Sequence, residues 1–301
     1  MGVLDLRVAT LNISGGEKTF EEYNSGTQKS RQEALEMLVK RLDANILCLQ
    51  EVSQYIDADG ITHSLMENIN KAGHYHYSFF GQTLSMETHM QVKKDVMVKG
   101  IFNDWWDWAK GNSIHARIPF ARLSDPARPG VPRNIPIYQP AIYEGTRDTE
   151  PRYALLTRMK VAPFPYIVNL HLTTLVGERT TPRQPQKTEE SQSLRCWQIQ
   201  RVLDLVRVHI LQQDQPIILA GDFNATTDEF GIAQMLVSEK GFVRLVPEDE
   251  APTHSELEEP IDHIFFYPRQ RLAEYACWID TGELSKRASD HLPTVANISI
   301  K

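Results

Sequence analysis

The side chains of this chain best suited to chemistry are polar residues that close or interrupt apolar runs: Asn12, Glu51, His171, Asp222, Asn224, Asp262, Asp290 and His291. Carboxylate oxygens are hard ligands for Mg²⁺ or Mn²⁺. An imidazole with a carboxylate behind one nitrogen keeps the other in a fixed tautomer for proton transfer. The densest example is Pro216–Asn224, where Ile217-Ile218-Leu219-Ala220 reads as a buried strand. Its end sends Asp222 and Asn224 to one side of an extended backbone. Gly221 between them lets another group approach closely. Taken singly, Asp222 can cap the following turn and His171 can be an ordinary structural histidine. Their recurrence at strand ends, where α/β sheets place their sites, points instead to metal-dependent hydrolysis of a phosphoester.

The elements that must position these groups follow from periodicity. Leu6–Leu11 reads as a strand stopping at Asn12. Ser30-Arg31-Gln32-Glu33 has capping-box spacing, and Ala34, Leu35, Leu38, Val39 and Leu42 form one helical stripe. Ile46–Leu49 is then a buried strand ending at Gln50-Glu51, which completes a βαβ pattern. A helix is expected over 61–72, and Tyr75, Tyr77 and Phe79 alternate as in a strand. Residues 81–112 give no clear pattern. The Pro- and Gly-rich stretch 124–151 predicts a long surface loop, and 173–189 a charged rim loop. Tyr153–Met159 and Tyr166–Leu172 read as paired strands, followed by a long helix through Leu194 and Ile210. A helix at 228–238 and strands near 261–267, 272–279 and 292–300 complete the chain. No linker divides it, so one domain spanning 1–301 is expected.

Composition narrows the setting. Of 301 residues 41% are hydrophobic, enough for a substantial core, and the net charge is -7. That balance gives no support to a surface that coats polyanions non-specifically, yet it leaves room for a nuclease with a local basic patch. Cys48, Cys196 and Cys277 show neither zinc spacing nor a disulfide framework. Asp5 and Arg7 stand where a signal peptide needs apolar residues, and no run reaches membrane-spanning length. A soluble intracellular, cytoplasmic protein is expected, with a monomer as the default; a trimmed export signal would leave the same sequence.

Six ordered segments carry a family resemblance: Ala9-Thr10-Leu11-Asn12, Leu49-Gln50-Glu51-Val52, Asn169-Leu170-His171-Leu172, Gly221-Asp222-Phe223-Asn224, Pro260-Ile261-Asp262-His263-Ile264 and Ser289-Asp290-His291-Leu292-Pro293. Through them the chain resembles the endonuclease/exonuclease/phosphatase, or DNase I-like, superfamily of nucleases, lipid and inositol-phosphate hydrolases, deadenylases and tyrosyl-DNA phosphodiesterases. The resemblance implies a four-layer α/β sandwich, two packed mixed β-sheets flanked by helices, with the site at one end. It implies Mg²⁺ or Mn²⁺ held by Glu51, with Asn12 and Asp290 nearby. By the same resemblance Asp262 orients His291, Asp222 and Asn224 hold the nucleophile and a phosphoryl oxygen, and His171 binds phosphate. Asn112 and Arg152 are candidates for substrate contact, and Trp105, Trp106 and Trp108 can stack bases, cover a lipid or pack beneath a loop. His263 alternates with Asp262 and is expected to face away from the site. A nuclease or other phosphodiesterase is the first reading, with nucleic acid favoured as partner. The alternatives are a phosphatase or phospholipase-type hydrolase of a lipid or small phosphoester, and an inactive phosphate-binding or interaction protein.

Overall fold

The computed structural model describes residues 2–15, 27–56, 62–90, 92, 108–178 and 182–301. In chain order its strands are β1 (Leu4–Asn12), β2 (Ile46–Ile56), β3 (Thr62–Ser64), β4 (Tyr77–Ser85), β5 (Ala109–Ala116), β6 (Phe120–Arg122), β7 (Asp125–Pro129) and β8 (Arg133–Tyr138). There follow β9 (Arg152–Met159), β10 (Tyr166–His171), β11 (Ile217–Asp222), β12 (Val243–Arg244), β13 (Asp262–Tyr267), β14 (Leu272–Ile279) and β15 (Thr294–Ile300). One sheet runs β14-β15-β1-β2-β5-β4, with β3 on β2; the other runs β12-β13-β11-β10-β9-β6-β7, with β8 on β9. Both are mixed. β1 pairs β2 and β10 pairs β11 in parallel, while the flanking pairings are antiparallel.

Side-chain alternation explains the layers. Val8, Ile46, Cys48 and Ile114 from the first sheet meet Ile167, Ile218, Ala220 and Ile264 from the second in one core cluster. Their neighbours Ala9, Leu11, Leu47 and Leu49 turn outward to Leu35, Leu38 and Val39 of the helix Thr27–Leu42. Val168, Leu170 and Leu219 do the same beneath Ile199, Val202 and Leu203 of the helix Pro185–Arg207. Strands covered on both faces need apolar residues throughout, which is why their runs are continuous. The result is helix, sheet, sheet, helix: the expected two-sheet sandwich.

Several local expectations change. The first helix begins at Thr27, upstream of Ser30, so Ser30 lies in its first turn instead of capping it. The expected loop at 124–151 contains β7 and β8; Pro129 and Pro136 sit in edge strands, where a missing N–H is tolerated. The rim loop is shortened because the long helix starts at Pro185, with proline in its first turn. The segment at Gly231–Glu239 is wound as a π-helix. Among the described residues no helix is long and apolar enough to cross a membrane.

A buried polar layer stitches the sheets together. Gln50 Nε2 donates to Thr10 Oγ1 at 3.0 Å and across the gap to Asn169 Oδ1 at 2.7 Å. Asn169 Nδ2 returns to the carbonyls of Leu49 and Ser113, each at 2.9 Å. The same inward rows continue past this layer into Asn12, Asp222 and Asp262, which places those residues at one end of the sandwich.

The group that approaches Gly221 is the Leu170 carbonyl: a Cβ built there would lie 2.0 Å from its oxygen. Gly221→Ala is therefore expected to destabilise the fold by about 3 kcal/mol in urea titration, since two backbones must part. Unchanged stability would show that the strands yield freely.

His115 is fully buried between Ser113 Oγ (2.9 Å) and Asn70 Oδ1 (2.7 Å), and burial pushes its pKa from 6.5 down to about 3. Below 6.5 the unfolded chain takes up a proton that the folded one refuses, so stability falls as pH falls. The limiting slope is about 1.4 kcal/mol per pH unit for this residue. Urea unfolding between pH 7 and 4 should show that slope diminished in His115→Gln; equal slopes would exclude the assignment.

Candidate active site

Glu51 reaches the site through a break in the pleat. Leu49 pairs with Ser113 and Val52 with Gly111, so Gln50 and Glu51 together oppose Asn112. Leu49 and Val52 then both face the outer core, which an unbroken strand cannot achieve. Glu51 itself holds a left-handed φ of 56°, a conformation unfavourable for a residue with a Cβ. Without the bulge its carboxylate would point beneath the outer helix.

Asp222 Oδ2 is the meeting point of the two sheets. Asn12 Nδ2 donates to it at 2.9 Å and to Glu51 Oε1 at 3.2 Å, while Asn12 Oδ1 accepts the Ser14 N–H. The asparagine is thereby fixed as an amide bridge between two carboxylates. His171 Nε2 lies 3.6 Å and His291 Nε2 3.9 Å from the same Asp222 oxygen. Asp222 Oδ1 accepts the N–H of Asn224, whose φ is 48° and whose side-chain amide donates to the Leu172 carbonyl. Asp222 thus caps the turn with one oxygen and faces the site with the other.

His291 Nδ1 lies 2.9 Å from Asp262 Oδ2, which turns Nε2 inward. Burial disfavours the imidazolium, but Asp262, Asp222 and Asp290 outweigh it and raise His291 to about 9. Asp222 is raised to about 6 by burial and by Asp262, against the pull of His291 and Asn12. Asp290 accepts from Ser14 Oγ and Ser289 Oγ. His263 faces away, with Nε2 2.9 Å from the Ala225 carbonyl oxygen.

On the other flank Lys110 Nζ bridges Glu51 Oε2 (3.0 Å) and Glu150 Oε1 (3.3 Å), and Glu150 pairs with Arg152 at 3.2 Å. Burial pushes Glu51 upward, yet Lys110 and the Asn12 amide hold it well below the usual carboxylate range. The Arg152 guanidinium lies 3.1 Å from His171 Nδ1; burial and this cation keep His171 neutral, well below its ordinary value. A small pocket is lined here by Glu51, Lys110, Asn112, Glu150, Arg152 and His171.

These residues fit a hard divalent cation. Glu51 and Asp290 offer oxygen donors, and burial together with the neighbouring Asp262 carboxylate raises Asp222. Among the described residues Asp262 Oδ1 is a buried acceptor without a hydrogen-bond partner, whereas the unpartnered N–H donors Asn112 Nδ2 and Arg152 Nε suit an anionic oxygen. By residue type and spacing, two further groups can share a cation: Asp222, Asp262 and His291, and His254, Asp290 and His291.

A family model described as "Endonuclease/Exonuclease/phosphatase family" matches residues 9–291. The chain belongs to this family. Membership and the acidic–histidine clusters make it a divalent-metal-dependent phosphoester hydrolase. Similar solved structures include an endonuclease/exonuclease/phosphatase from Beutenbergia cavernae, at 19% identity, covering 98% of this chain and 72% of that one with a TM-score of 0.66. Another, from Bacteroides vulgatus, shows 14% identity, 99% and 100% coverage and a TM-score of 0.64. Truncated TDP2 from Caenorhabditis elegans shows 16% identity, 98% and 97% coverage and a TM-score of 0.61. At these identities the likeness is one of fold. No curated protein matches the chain at a significant level.

Of the candidates read from sequence, Trp105 and Trp106 lie outside the described residues. Trp108 packs against His89, ring centroids 6.1 Å apart, and His89 Nδ1 is 3.0 Å from the Tyr143 hydroxyl. Three neighbours of the site lie outside the sequence motifs: Lys110, Glu150 and His254. Lys110 shares a face of β5 with Asn112, so strand alternation could have found it. Glu150 and His254 precede or interrupt no apolar run and gave no such signal.

Proposed function

We propose that the chain cleaves phosphodiester bonds of nucleic acid by attack of water, as a monomer whose single domain spans the described sandwich. The carrying observation is the convergence of Asn12, His171 and His291 on Asp222 Oδ2, with Glu51 across the Asn12 bridge. Glu51 and Asp290 would hold Mg²⁺ or Mn²⁺, which supplies charge neutralisation at the phosphoryl group. Asp222 and Asn224 hold the attacking water, and His291, turned by Asp262, handles its proton. Arg152, Asn112 and neutral His171 donate to phosphoryl oxygens from the opposite flank. A nucleic-acid substrate is favoured by the aromatic group His89, Trp108 and Tyr143. Tyr143 lies close enough to the pocket that burial and Glu150 raise its hydroxyl to about 12 despite Lys110 and Arg152. Flat rings beside a phosphate pocket suit base stacking. An intracellular setting fits three cysteines that form no disulfide.

The test is a Mg²⁺- or Mn²⁺-supplemented panel of single-stranded and duplex DNA, RNA, abasic duplex, 5′-tyrosyl DNA, sphingomyelin and phosphoinositides. Cleavage confined to the nucleic acids is expected. Turnover confined to the lipids would replace the substrate class, and no turnover at all would return the inactive-binder reading.

A further inference from the structure

His254 stands within the site, yet no motif assigns it a task. Its backbone bridges antiparallel to His291, and the segment around it is tied to both catalytic elements. Leu292 N–H donates to the Thr253 carbonyl at 2.7 Å and Ser255 N–H to the Asp290 carbonyl at 3.1 Å. Thr253 Oγ1 accepts the N–H groups of Ile261 and Asp262. The ring is buried and stands edge-on to His291, with centroids 4.6 Å apart at 86°. Two long-separated strands are thus gauged against each other through residues 253–255.

The tautomer of the ring follows from a contact at Nδ1. The Glu256 backbone N–H donates to His254 Nδ1 at 3.1 Å, so that nitrogen carries a lone pair. A neutral imidazole then has its proton on Nε2. Nε2 lies 4.0 Å from Asp290 Oδ2, a gap that a small turn of the partly exposed carboxylate closes. Residue type and spacing make His254, Asp290 and His291 a possible cation-binding trio, but a protonated Nε2 has no lone pair to give a metal.

We infer that His254 is a positioning residue: a neutral donor whose Nε2–H faces the Asp290 carboxylate while its ring backs His291, fixing the metal-side acid relative to the proton-handling imidazole. This rests on the hydrolase reading above. A donor behind a metal carboxylate typically matters about 10- to 100-fold in metal affinity or turnover.

Three measurements test it. Long-range ¹H–¹⁵N spectra of the wild-type protein should show His254 protonated at Nε2, before and after Mg²⁺ is added. An Nδ1–H tautomer, or loss of the Nε2 proton on adding Mg²⁺, would overturn the inference, the second in favour of direct ligation. His254→Phe keeps a ring but no donor; it should weaken Mn²⁺ binding by calorimetry and lower kcat by about 10-fold or more, with KM little changed. His254→Gln restores a side-chain N–H and should recover both to within a few-fold. Equal behaviour of the two variants, or a change in thermal stability alone, would leave only a structural role and defeat the proposal. If wild-type protein cleaves no phosphoester, the hydrolase reading falls, while the nitrogen spectra and Mn²⁺ affinities still decide this one.

Discussion

Glu51→Gln is expected to fold like the parent protein, to bind Mn²⁺ far more weakly, and to lose about 10²- to 10³-fold in turnover. The substitution keeps shape and removes one charge. Asn12 can still donate to the amide oxygen, and Lys110 keeps Glu150 as a partner, so the scaffold has little reason to respond. Glu51 is also partly open to solvent, which limits what its ion pair with Lys110 contributes to stability. Calorimetric Mn²⁺ titration, turnover and a urea midpoint separate these effects. Undiminished turnover would remove Glu51 from the metal site, whereas collapse of the urea midpoint would make the residue structural.

The second large effect belongs to His291. His291→Ala should retain the fold and lose about 10²- to 10⁴-fold in turnover, the range of a positioned proton carrier. Its partner offers a control independent of activity. In the metal-free protein the His291 imidazole should titrate near 9 by NMR, because Asp262, Asp222 and Asp290 together favour the cation. Asp262→Asn removes the carboxylate in direct contact at 2.9 Å. Burial then gains the upper hand, and the titration should move downward. An unmoved midpoint in Asp262→Asn would deny that this pair sets the ring's charge, and a His291→Ala enzyme of ordinary speed would deny its part in the chemistry.

What could be read from sequence was what lies close together along the chain. Ile217–Ala220 followed by Gly221-Asp222 announces both a strand and its working end, since burial, alternation and the close approach of Leu170 act within a few residues. The βαβ start was visible in the same way. The first helix's true beginning was not, because Ser30 offers a capping pattern that the longer helix absorbs. β7 and β8 were hidden because edge strands tolerate the prolines that mark loops. In the site, Asn12, Asp222 and Asp262 end inward rows and could be placed by alternation. Glu51 could be named but not aimed, because its direction depends on a register break against β5. Lys110 reaches Glu51 and Glu150, and His254 reaches His291, from distant parts of the chain, and local pattern says nothing of such meetings.

The bulge at Gln50-Glu51 has an evolutionary corollary. Since one surplus residue in β2 delivers Glu51, a one-codon deletion there would heal the ladder, keep Leu49 and Val52 on their shared face, and release the left-handed turn in a single event. Such a lineage would inherit a sturdier body with no hydrolytic power. The irregular strand therefore serves the reaction and works against the regularity of the ladder that carries it.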